Sequence, residues 1–289
     1  MKKIRVIGDF WGKVLIIDQV STEQISEFQK NGFVILKKFL PHQTLQALKT
    51  KIEPLFQGNF ETGIEPDEWN WRYGRDDPRH TRQICNAWKS DNLIRETVCN
   101  ESIGRIISQL MGWKGTRLIQ DNVLWKPPGA GAVTFHQDAS YDDWIIPQTM
   151  ATCWIALDDT FIDSGTLEFA VGSHNWGLSE PPSNFIGQNN HKVYLQNHAK
   201  QIGETVRLTK VIVPAGGASF HHGFLWHGSE SNKTKNERRA LVSHCVPKNA
   251  TFHETNCGGT GKIYRKYKLN DSNRLEDSFF PVIWDQQKN

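Results

Sequence analysis

One short triplet in the sequence carries side chains that could bind a metal ion. His136-Gln137-Asp138 is the only His-x-Asp triplet among the 289 residues. Residues i and i+2 of a β-strand project from the same face, about 6.5 Å apart along it, so the imidazole and the carboxylate can close on one ion. This pair of ligand types suits a borderline metal such as Fe(II). The triplet therefore predicts a metal site, provided that a second histidine joins it from another strand.

The second histidine must come from a distant part of the chain. His227 is favoured because it ends an apolar run and is followed by Ser229 and, eleven residues on, by Arg238. A planar guanidinium beside a metal matches the carboxylate of an anionic co-substrate. Two imidazoles and one carboxylate leave three coordination positions open, enough for a bidentate 2-oxo acid and then dioxygen. His174 and His244 are further candidates. His221 and His222 stay open as alternatives to His227.

The elements that must position these residues are predicted to be short strands. Residues 21–57 favour a helix, a strand and a second helix, residues 58–92 a long loop, and residues 92–111 a helix. Beyond Gly112 the pattern changes to apolar or alternating runs between Gly/Pro turns, which indicates a β-sandwich or barrel. The predicted strands are 116–126, 132–137, 149–157, 165–171, 206–213, 217–221, 223–227 and 239–246.

Composition excludes several classes of partner. The net charge is only +3, from 34 basic and 31 acidic residues spread along the chain, which argues against nucleic acid. No stretch of 18 consecutive apolar residues predicts a membrane span. The start, Met1-Lys2-Lys3, resembles a secretory n-region, but Asp9 interrupts the apolar run behind it and no small-residue cleavage site follows. Five cysteines without a CxxC pair predict free thiols, buried at Cys153 and Cys245, and a cytoplasmic location.

Taken together, the motifs resemble the phytanoyl-CoA dioxygenase family of Fe(II)/2-oxoglutarate oxygenases over about residues 22–247. The resemblance rests on four blocks: NGFVILKKFLP, WKPPGAGAVTFHQDASYDDW, DSGTLEFAVGSHNWG and LWHGSESNKTKNERRALVSH. It implies that the iron ligands are His136, Asp138 and His227. It also implies that 2-oxoglutarate binds Arg238, with Ser229 beside it, and that the further co-substrate contacts are Trp154, Lys126 and Gln137.

The resemblance also implies the fold. We expect a mainly β protein with flanking helices, a double-stranded β-helix of the jelly-roll or cupin-like type. Residues 1–289 are predicted to form one domain. It would comprise a helical part at 21–112, a jelly-roll core at 116–247 with an insert at 172–205, and a tail at 248–289.

The activity implied is that of a dioxygenase that uses Fe(II), 2-oxoglutarate and O2 to oxidise, by default to hydroxylate, an unactivated C–H bond. Trp69, Trp71, Tyr73 and Trp88 suit stacking on a small, largely apolar metabolite, for example one of secondary metabolism, although they could equally pack the 58–90 loop onto the barrel. An acyl-CoA or amino-acid-like substrate stays an alternative.

A non-enzymatic jelly-roll binding protein is a further alternative, although the three implied iron ligands and Arg238 are all present. A halogenase is disfavoured because Asp138 is retained. The oligomeric state is not predicted.

Overall fold

The computed structural model describes residues 14, 17–186 and 190–288. The N-terminal residues that resemble a secretory n-region, from Met1 to Asp9, lie outside the described residues. Within the described ranges, the helices are α1 (Thr22–Asn31), α2 (His42–Phe56), α3 (Asn92–Val98), α4 (Glu101–Met111), α5 (Val193–Ile202) and α6 (Gly261–Tyr264).

The strands of the described part of the chain are mostly short. They are β1 (Phe33–Leu36), β2 (Glu68–Trp69), β3 (Arg82–Cys85), β4 (Gly115–Lys126), β5 (Val133–His136), β6 (Ile145–Ile146), β7 (Ala151–Ala156), β8 (Leu167–Ala170), β9 (Leu208–Lys210), β10 (Ala218–His222), β11 (His227–Ser229), β12 (Arg238–Pro247), β13 (Thr251–Phe252) and β14 (Val282–Asp285).

These strands form two main antiparallel sheets. The major sheet has the order β1-β10-β7-β12-β4-β3-β2, and β14 also pairs with β4. The minor sheet has the order β5-β11-β8-β9, and β13 pairs with β6 in a separate ribbon. The crossed strand order, with the sequence alternating between two facing sheets, is that of a jelly roll. The predicted double-stranded β-helix is confirmed.

The two faces of the major sheet have different neighbours. On the outer face, apolar side chains such as Val34, Val123 and Leu241 pack in one cluster with the buried sides of α1 to α4. On the inner face, Trp154 and Val242 pack with minor-sheet residues, and Phe33 stacks on Phe169 with their ring centroids 4.7 Å apart. Because side chains alternate along each strand, one residue in two faces the space between the sheets.

Local signals in the sequence account for the helix ends. Ser21 caps α1 in a capping box with Gln24, in which each side chain bonds to the other residue's backbone N–H. Gly32 ends α1 with φ at +84°, and a Cβ there would lie 2.7 Å from Leu225 Cδ1. The close approach places the start of β1 against the loop that precedes β11.

Three predicted elements were wrong in detail. The segment 58–92 is more than a loop, because β2 and β3 within it extend the major sheet next to β4. The helix at 92–111 is interrupted, since the side chain of Asn100 accepts a hydrogen bond from the Ser102 N–H and caps a new helix. Residues 223–226 form a turn, and the strand begins only at His227.

Both ends of the described chain join the same sheet. β1 lies at one edge of the major sheet and β14 pairs with β4 near the other, while the division into domains stays a prediction. The five cysteines are free, and Cys153 and Cys245 are buried as predicted. No helix in the described ranges is both long and apolar enough to cross a membrane.

Candidate metal and co-substrate site

The structure brings together the three residues that the motifs predicted as ligands. His136 ends β5 and lies opposite His227, the first residue of β11, in the antiparallel register. Asp138 begins the turn that follows β5. Its Oδ1 lies 3.4 Å from Nε2 of His136 and 3.3 Å from Nε2 of His227. All three side chains are buried between the sheets, and their ligand atoms lie within 4.8 Å of one another.

Hydrogen bonds to the backbone determine which nitrogen of each imidazole faces this centre. Nδ1 of His136 lies 2.8 Å from the carbonyl oxygen of Thr134, and Nδ1 of His227 lies 2.9 Å from that of Leu225. A carbonyl only accepts, so each Nδ1–H must donate, and each neutral imidazole turns its Nε2 lone pair toward Asp138. Three electron-pair donors thus converge, which a shared cation would stabilise. Two imidazoles and one carboxylate fit Fe(II) and leave positions open.

The second oxygen of Asp138 is held by other side chains. Oδ2 accepts hydrogen bonds from the Thr152 hydroxyl at 2.7 Å and from Nε2 of His221 at 3.1 Å. His244 in turn places Nδ1 3.0 Å from Thr152 Oγ1. Oδ1 alone is therefore directed at the centre, and the carboxylate is oriented to bind in a monodentate manner. His221, one of the alternative ligands, donates a hydrogen bond to the second carboxylate oxygen of Asp138 and is not part of the triad.

Electrostatics at the centre favour an ionised carboxylate among neutral imidazoles. Burial acts to raise the pKa of Asp138, but the nearby histidines, His227 first among them, outweigh it and hold that pKa well below its ordinary value. Burial lowers the pKa of His221 to about 4, and burial followed by the neighbouring His227 lowers the pKa of His136. At neutral pH these two imidazoles are uncharged, as a metal ligand and a neutral hydrogen-bond donor require.

A cavity of about 650 Å³, here called the arginine cavity, extends from the triad toward Arg238. The guanidinium is 4% exposed. It donates one hydrogen bond from Nη2 to the carbonyl oxygen of Gly165, while its Nε is buried without a partner among the described residues. No carboxylate in the described ranges lies within ion-pair distance of it. Burying such a cation is costly unless an anion pairs with it, so this end of the cavity is built for a carboxylate. Its apolar walls are Leu124, Val133, Leu167 and Val242.

The other predicted co-substrate residues take different places. Trp154 and Ser229 line the arginine cavity beside Arg238. Lys126 is fully buried behind them, and its Nζ donates to Ser229 Oγ at 2.7 Å and to the carbonyl oxygen of Glu230 at 2.6 Å. Because the serine oxygen accepts from the lysine, its own O–H is free to donate into the cavity. The structure thus brings Lys126 to the site only through Ser229.

Gln137 does not reach either cavity, and its prediction as a co-substrate contact finds no support. Its Nε2 donates to the carbonyl oxygens of Gly177 and Phe224, both at 2.7 Å, and its Oε1 accepts from the N–H and the hydroxyl of Ser179. The reason is parity: the residue between His136 and Asp138 projects to the opposite side of the backbone. Gln137 therefore ties the turn near β11 to the loop at 177–179.

The adjacent residues Arg238 and Arg239 project to opposite faces of β12, as alternation along a strand requires. Arg239 projects to the outer face and makes a two-pronged ion pair with Asp158, with Nε–Oδ2 and Nη2–Oδ1 distances of 2.8 Å. His174 and His222, two other histidines considered as ligands, pack against each other near α1, their ring centroids 5.6 Å apart. They lie outside the triad.

A second cavity of about 690 Å³ adjoins the arginine cavity at His136 and Asp138. It shares Asn122, His136, Asp138 and His244 with the arginine cavity, and β2, β3 and β4 contribute one wall. We call it the acidic chamber, defined by six residues that face only this side: Glu68, Cys85, Gln120, Tyr141, Asp142 and Thr260.

The aromatic loop residues that suggested an apolar substrate do not line this chamber. Trp71 and Trp88 are buried in the outer core, Trp69 packs edge-on against Phe60, and Tyr73 contacts Trp71. The three tryptophans pack the segment onto the sheet, which was the alternative explanation, whereas Tyr73 is exposed. Most of the residues that line the chamber itself are of polar types.

A further group of possible ligands lies on the outer side of the minor sheet. Glu168, His191 and Glu230 place ligand atoms within 4.8 Å of one another. Lys192 Nζ, however, lies 2.9 Å from Glu168 Oε2 and 3.6 Å from Glu230 Oε1, and Lys210 also approaches Glu230. Lysines already neutralise these carboxylates, so the group is an ion-pair network.

Sequence reasoning missed the residues that orient Asp138 and those that form the acidic chamber. Thr152 could have been found, because it alternates in phase with Trp154 on the same strand and must face the same side. Glu68 and Tyr141 gave no comparable signal, since they come from a two-residue strand and from a turn.

Comparisons with known proteins agree with this geometry. The profile of the family described as "Phytanoyl-CoA dioxygenase (PhyH)" matches residues 28–240. Phytanoyl-CoA dioxygenase domain-containing protein 1 of Bos taurus is 22% identical over 279 residues, covering 78% of this chain and 90% of that protein.

Among solved structures, the 2-oxoglutarate-dependent carbocyclase SnoK of nogalamycin biosynthesis has a TM-score of 0.70 at 22% identity, over 91% of this chain and 96% of that one. The epimerase SnoN, solved with Fe3+, α-ketoglutarate and a nogalamycin compound, has a TM-score of 0.67 at 17% identity, over 90% of this chain and 97% of that one.

Proposed function

Because the chain belongs to the phytanoyl-CoA dioxygenase family, we propose that it hydroxylates an unactivated C–H bond of a small molecule in the acidic chamber. The chain is an Fe(II)- and 2-oxoglutarate-dependent oxygenase, as its family and its His-Asp-His site show. When bound, the iron and the co-substrate supply the oxidising chemistry: dioxygen is consumed, 2-oxoglutarate becomes succinate and CO2, and an oxidising equivalent remains for the substrate. The observation that carries the proposal is that two of the three ligands, His136 and Asp138, line both the arginine cavity and the acidic chamber.

The protein's own residues have three tasks in this proposal. His136, Asp138 and His227 hold the iron through the atoms that already converge. Arg238 pairs with the distal carboxylate of 2-oxoglutarate, with the Ser229 hydroxyl as a second donor. The apolar walls of the arginine cavity exclude water and so strengthen that ion pair. Lys126 positions Ser229.

In this proposal the acidic chamber is the part of the site through which a substrate reaches the ligands without displacing the co-substrate. Glu68 at its entrance is exposed, and His136 and Asp138 line its inner part. Hydroxylation is the default outcome that we propose, because it is the outcome that requires no further positioned group. A non-enzymatic binding protein has no need for an inward, unpaired Arg238 beside three converging ligands. A cytoplasmic location stays a prediction.

The proposal is tested by anaerobic titration of the protein with Fe(II) and 2-oxoglutarate. We expect the visible charge-transfer absorption of an iron-bound 2-oxo acid, and with dioxygen we expect 2-oxoglutarate to be consumed only when iron is present. Asp138→Ala removes the anionic ligand, so the band and succinate formation should both be lost. Asp143→Ala, in the following turn but outside both cavities, serves as the matched control and should retain both.

Two results would contradict the proposal. One is fully iron-loaded protein that gives no band. The other is an Asp138→Ala variant with unchanged iron affinity and turnover, which would require that the carboxylate ligand lie elsewhere.

A further inference from the structure

The lysine, arginine and carboxylate side chains around the site are unevenly distributed. The arginine cavity has Arg238 and, behind it, Lys126. The acidic chamber has Glu68 at its mouth and Asp142 beside Tyr141, and no lysine or arginine is among the described residues that line it. His244 lines both cavities, and its pKa is raised because Asp138 outweighs the effect of burial. Glu68 and Asp142 thus face only the chamber, whereas Arg238 faces only the arginine cavity.

The backbone register directs Glu68 into the chamber. Glu68 lies opposite Cys85 in the β2–β3 pair, and Cys85 lies opposite Asn122 in the β3–β4 pair. Directly opposed residues of antiparallel strands share a face, so all three project from the inner face. Asn122 also lines both cavities. The pairing of β2 with β3 and of β3 with β4 therefore determines the face from which Glu68 projects.

Glu68 lacks the cationic partner that neighbouring carboxylates have. Asp67, one residue before it, is paired with Lys89 and Lys266. In contrast, the contact of Glu68 within the described ranges is the Cys85 thiol, which donates to Oε2 at 3.3 Å. No lysine or arginine of the described chain lies within ion-pair distance of Glu68. Its charge is therefore available to a ligand.

Asp142 and Tyr141 add polar groups deeper in the chamber. Asp142 Oδ1 accepts hydrogen bonds from the Trp144 indole N–H at 2.9 Å and from the Thr260 hydroxyl, so its position is fixed. The Tyr141 hydroxyl is buried and has no hydrogen-bond partner among the described residues. The ring of Tyr141 contacts His136 and Phe185, which places it over the triad. A polar ligand would satisfy this hydroxyl.

These carboxylates are not needed to balance the metal centre. The two positive charges of Fe(II) and the one of Arg238 equal the one negative charge of Asp138 and the two of 2-oxoglutarate. Glu68 and Asp142 also do not belong to any group of three or more ligand residues whose ligand atoms lie within 4.8 Å of one another in the described ranges. A second metal ion therefore does not account for them, whereas an extended organic cation could contact both.

We propose that the acidic chamber binds its substrate through a cationic nitrogen group, an ammonium or a guanidinium, which pairs with Glu68 and lies near Asp142. This inference rests on the proposed function, because it assigns the substrate side of the same site. The Tyr141 hydroxyl bonds to a polar part of the same molecule, and the C–H bond to be oxidised then faces the triad. An acyl-CoA ester, with its several phosphate charges, is repelled by this chamber.

The test compares matched cationic and neutral probes on the protein loaded anaerobically with Fe(II) and 2-oxoglutarate. The probes are n-propylguanidinium with n-propylurea, and n-propylammonium with n-propanol. Affinities are measured by ligand-detected NMR titration. We expect each cation to bind the unmodified protein about threefold to fivefold more tightly than its neutral counterpart, as a solvent-accessible ion pair provides.

Glu68→Gln should lower this preference to the smaller part that Asp142 provides, while the side-chain shape is retained. Glu65→Gln is the matched control, because Glu65 is exposed in the same segment and lies outside the chamber. The full preference should persist there. Equal binding of cations and neutral probes by the unmodified protein, or a preference that is undiminished in Glu68→Gln, would overturn the inference.

The same samples separate this inference from the proposed function. Absence of the charge-transfer absorption in the unmodified protein would contradict the proposed function. A normal absorption together with no cation preference would contradict only the assignment of the substrate. The absorption also reports that the Glu68→Gln and Glu65→Gln proteins are folded and loaded.

Discussion

The arginine cavity and the acidic chamber share His136 and Asp138, yet they are built differently. In the former, Arg238, which is 4% exposed, lies among apolar side chains. In the latter, Glu68 is exposed and most of the lining residues are of polar types. Burial strengthens an ion pair but requires a partner of one defined shape and charge, whereas an open polar surface binds more weakly and tolerates a wider choice.

The difference matches two kinds of ligand. The co-substrate has a fixed structure, so a buried, pre-organised site can recognise it at the cost of holding a cation without its anion. Burial lowers the pKa of Arg238 to about 10. The charged form of the guanidinium is therefore destabilised by burial, but it is still the form present at neutral pH. In the chamber, Glu68 is exposed and the carboxylate of Asp142 is held by hydrogen bonds from Trp144 and Thr260, so its selectivity must come from several weaker contacts.

The comparison predicts its largest effect at Arg238. Arg238→Ala leaves a carboxylate of 2-oxoglutarate unpaired in a desolvated site, which should weaken co-substrate binding by about 2–5 kcal/mol, or roughly 30-fold to several thousand-fold. The measurement is a titration of the anaerobic iron protein with 2-oxoglutarate, followed by the charge-transfer absorption.

Arg239→Ala is the control for this variant. It removes the ion pair with Asp158 on the outer face, so it should lower the free energy of unfolding while the dissociation constant for 2-oxoglutarate changes little. Loss of 2-oxoglutarate affinity only in the Arg239 variant would reverse the strand orientation on which the comparison depends.

A smaller effect is expected at the boundary between the two cavities. Thr152→Val removes the 2.7 Å hydrogen bond to Asp138 Oδ2 and leaves His221 as the donor to that oxygen. Because groups that orient a metal ligand commonly contribute 10- to 100-fold to metal affinity, Fe(II) binding should weaken by about that range. Competition with a chelating fluorophore measures it.

Thr209→Val is the matched control, since Thr209 lies on β9 away from both cavities. It should bind Fe(II) as the unmodified protein does. An unchanged affinity in Thr152→Val would mean that Asp138 is oriented by its own turn and by His221 alone.

The parts of this site that could be predicted are those with short-range signals. The i, i+2 spacing of His136 and Asp138 indicates a shared face, and the adjacency of Arg238 and Arg239 indicates opposite faces. The same rule excludes Gln137 from that face. Its prediction as a co-substrate contact was based on the family resemblance alone and conflicts with the alternation of side chains along the strand. The three ligands converge in the structure as the motifs predicted.

The acidic chamber could not be predicted because it depends on long-range register. Glu68 reaches the site only because β2 pairs with β3 and β3 with β4, and a two-residue strand has no periodic pattern to recognise. Thr260 comes from the distant tail and bonds to Asp142, 118 residues earlier. The tryptophans of the same segment were the more conspicuous feature of the sequence, and they suggested an apolar substrate surface that the chamber does not have.

The smallest effect that we predict is a pH dependence confined to the acidic chamber. Burial raises the pKa of Asp142 to about 6, because it outweighs the hydrogen bonds from Thr260 and Trp144 that favour the ionised form. Asp142 is therefore mostly charged at pH 7.5 and mostly neutral at pH 5.5. If it helps to hold a cationic group, the preference for n-propylguanidinium over n-propylurea should fall as the pH falls through about 6.

Asp142→Asn separates this contribution from the others. The variant keeps the hydrogen-bond acceptor at Oδ1 but has no charge to lose, so its preference should be lower than that of the unmodified protein at pH 7.5, by less than about twofold, and close to it at pH 5.5. Protonation of the metal ligands affects both probes alike and cancels in their ratio.

A bound cation should also lower the pKa of Asp142, so the midpoint of the pH dependence should move to lower pH as the cationic probe approaches saturation. A midpoint that persists in Asp142→Asn would assign the titration to another group and leave Glu68 as the sole source of the chamber's selectivity.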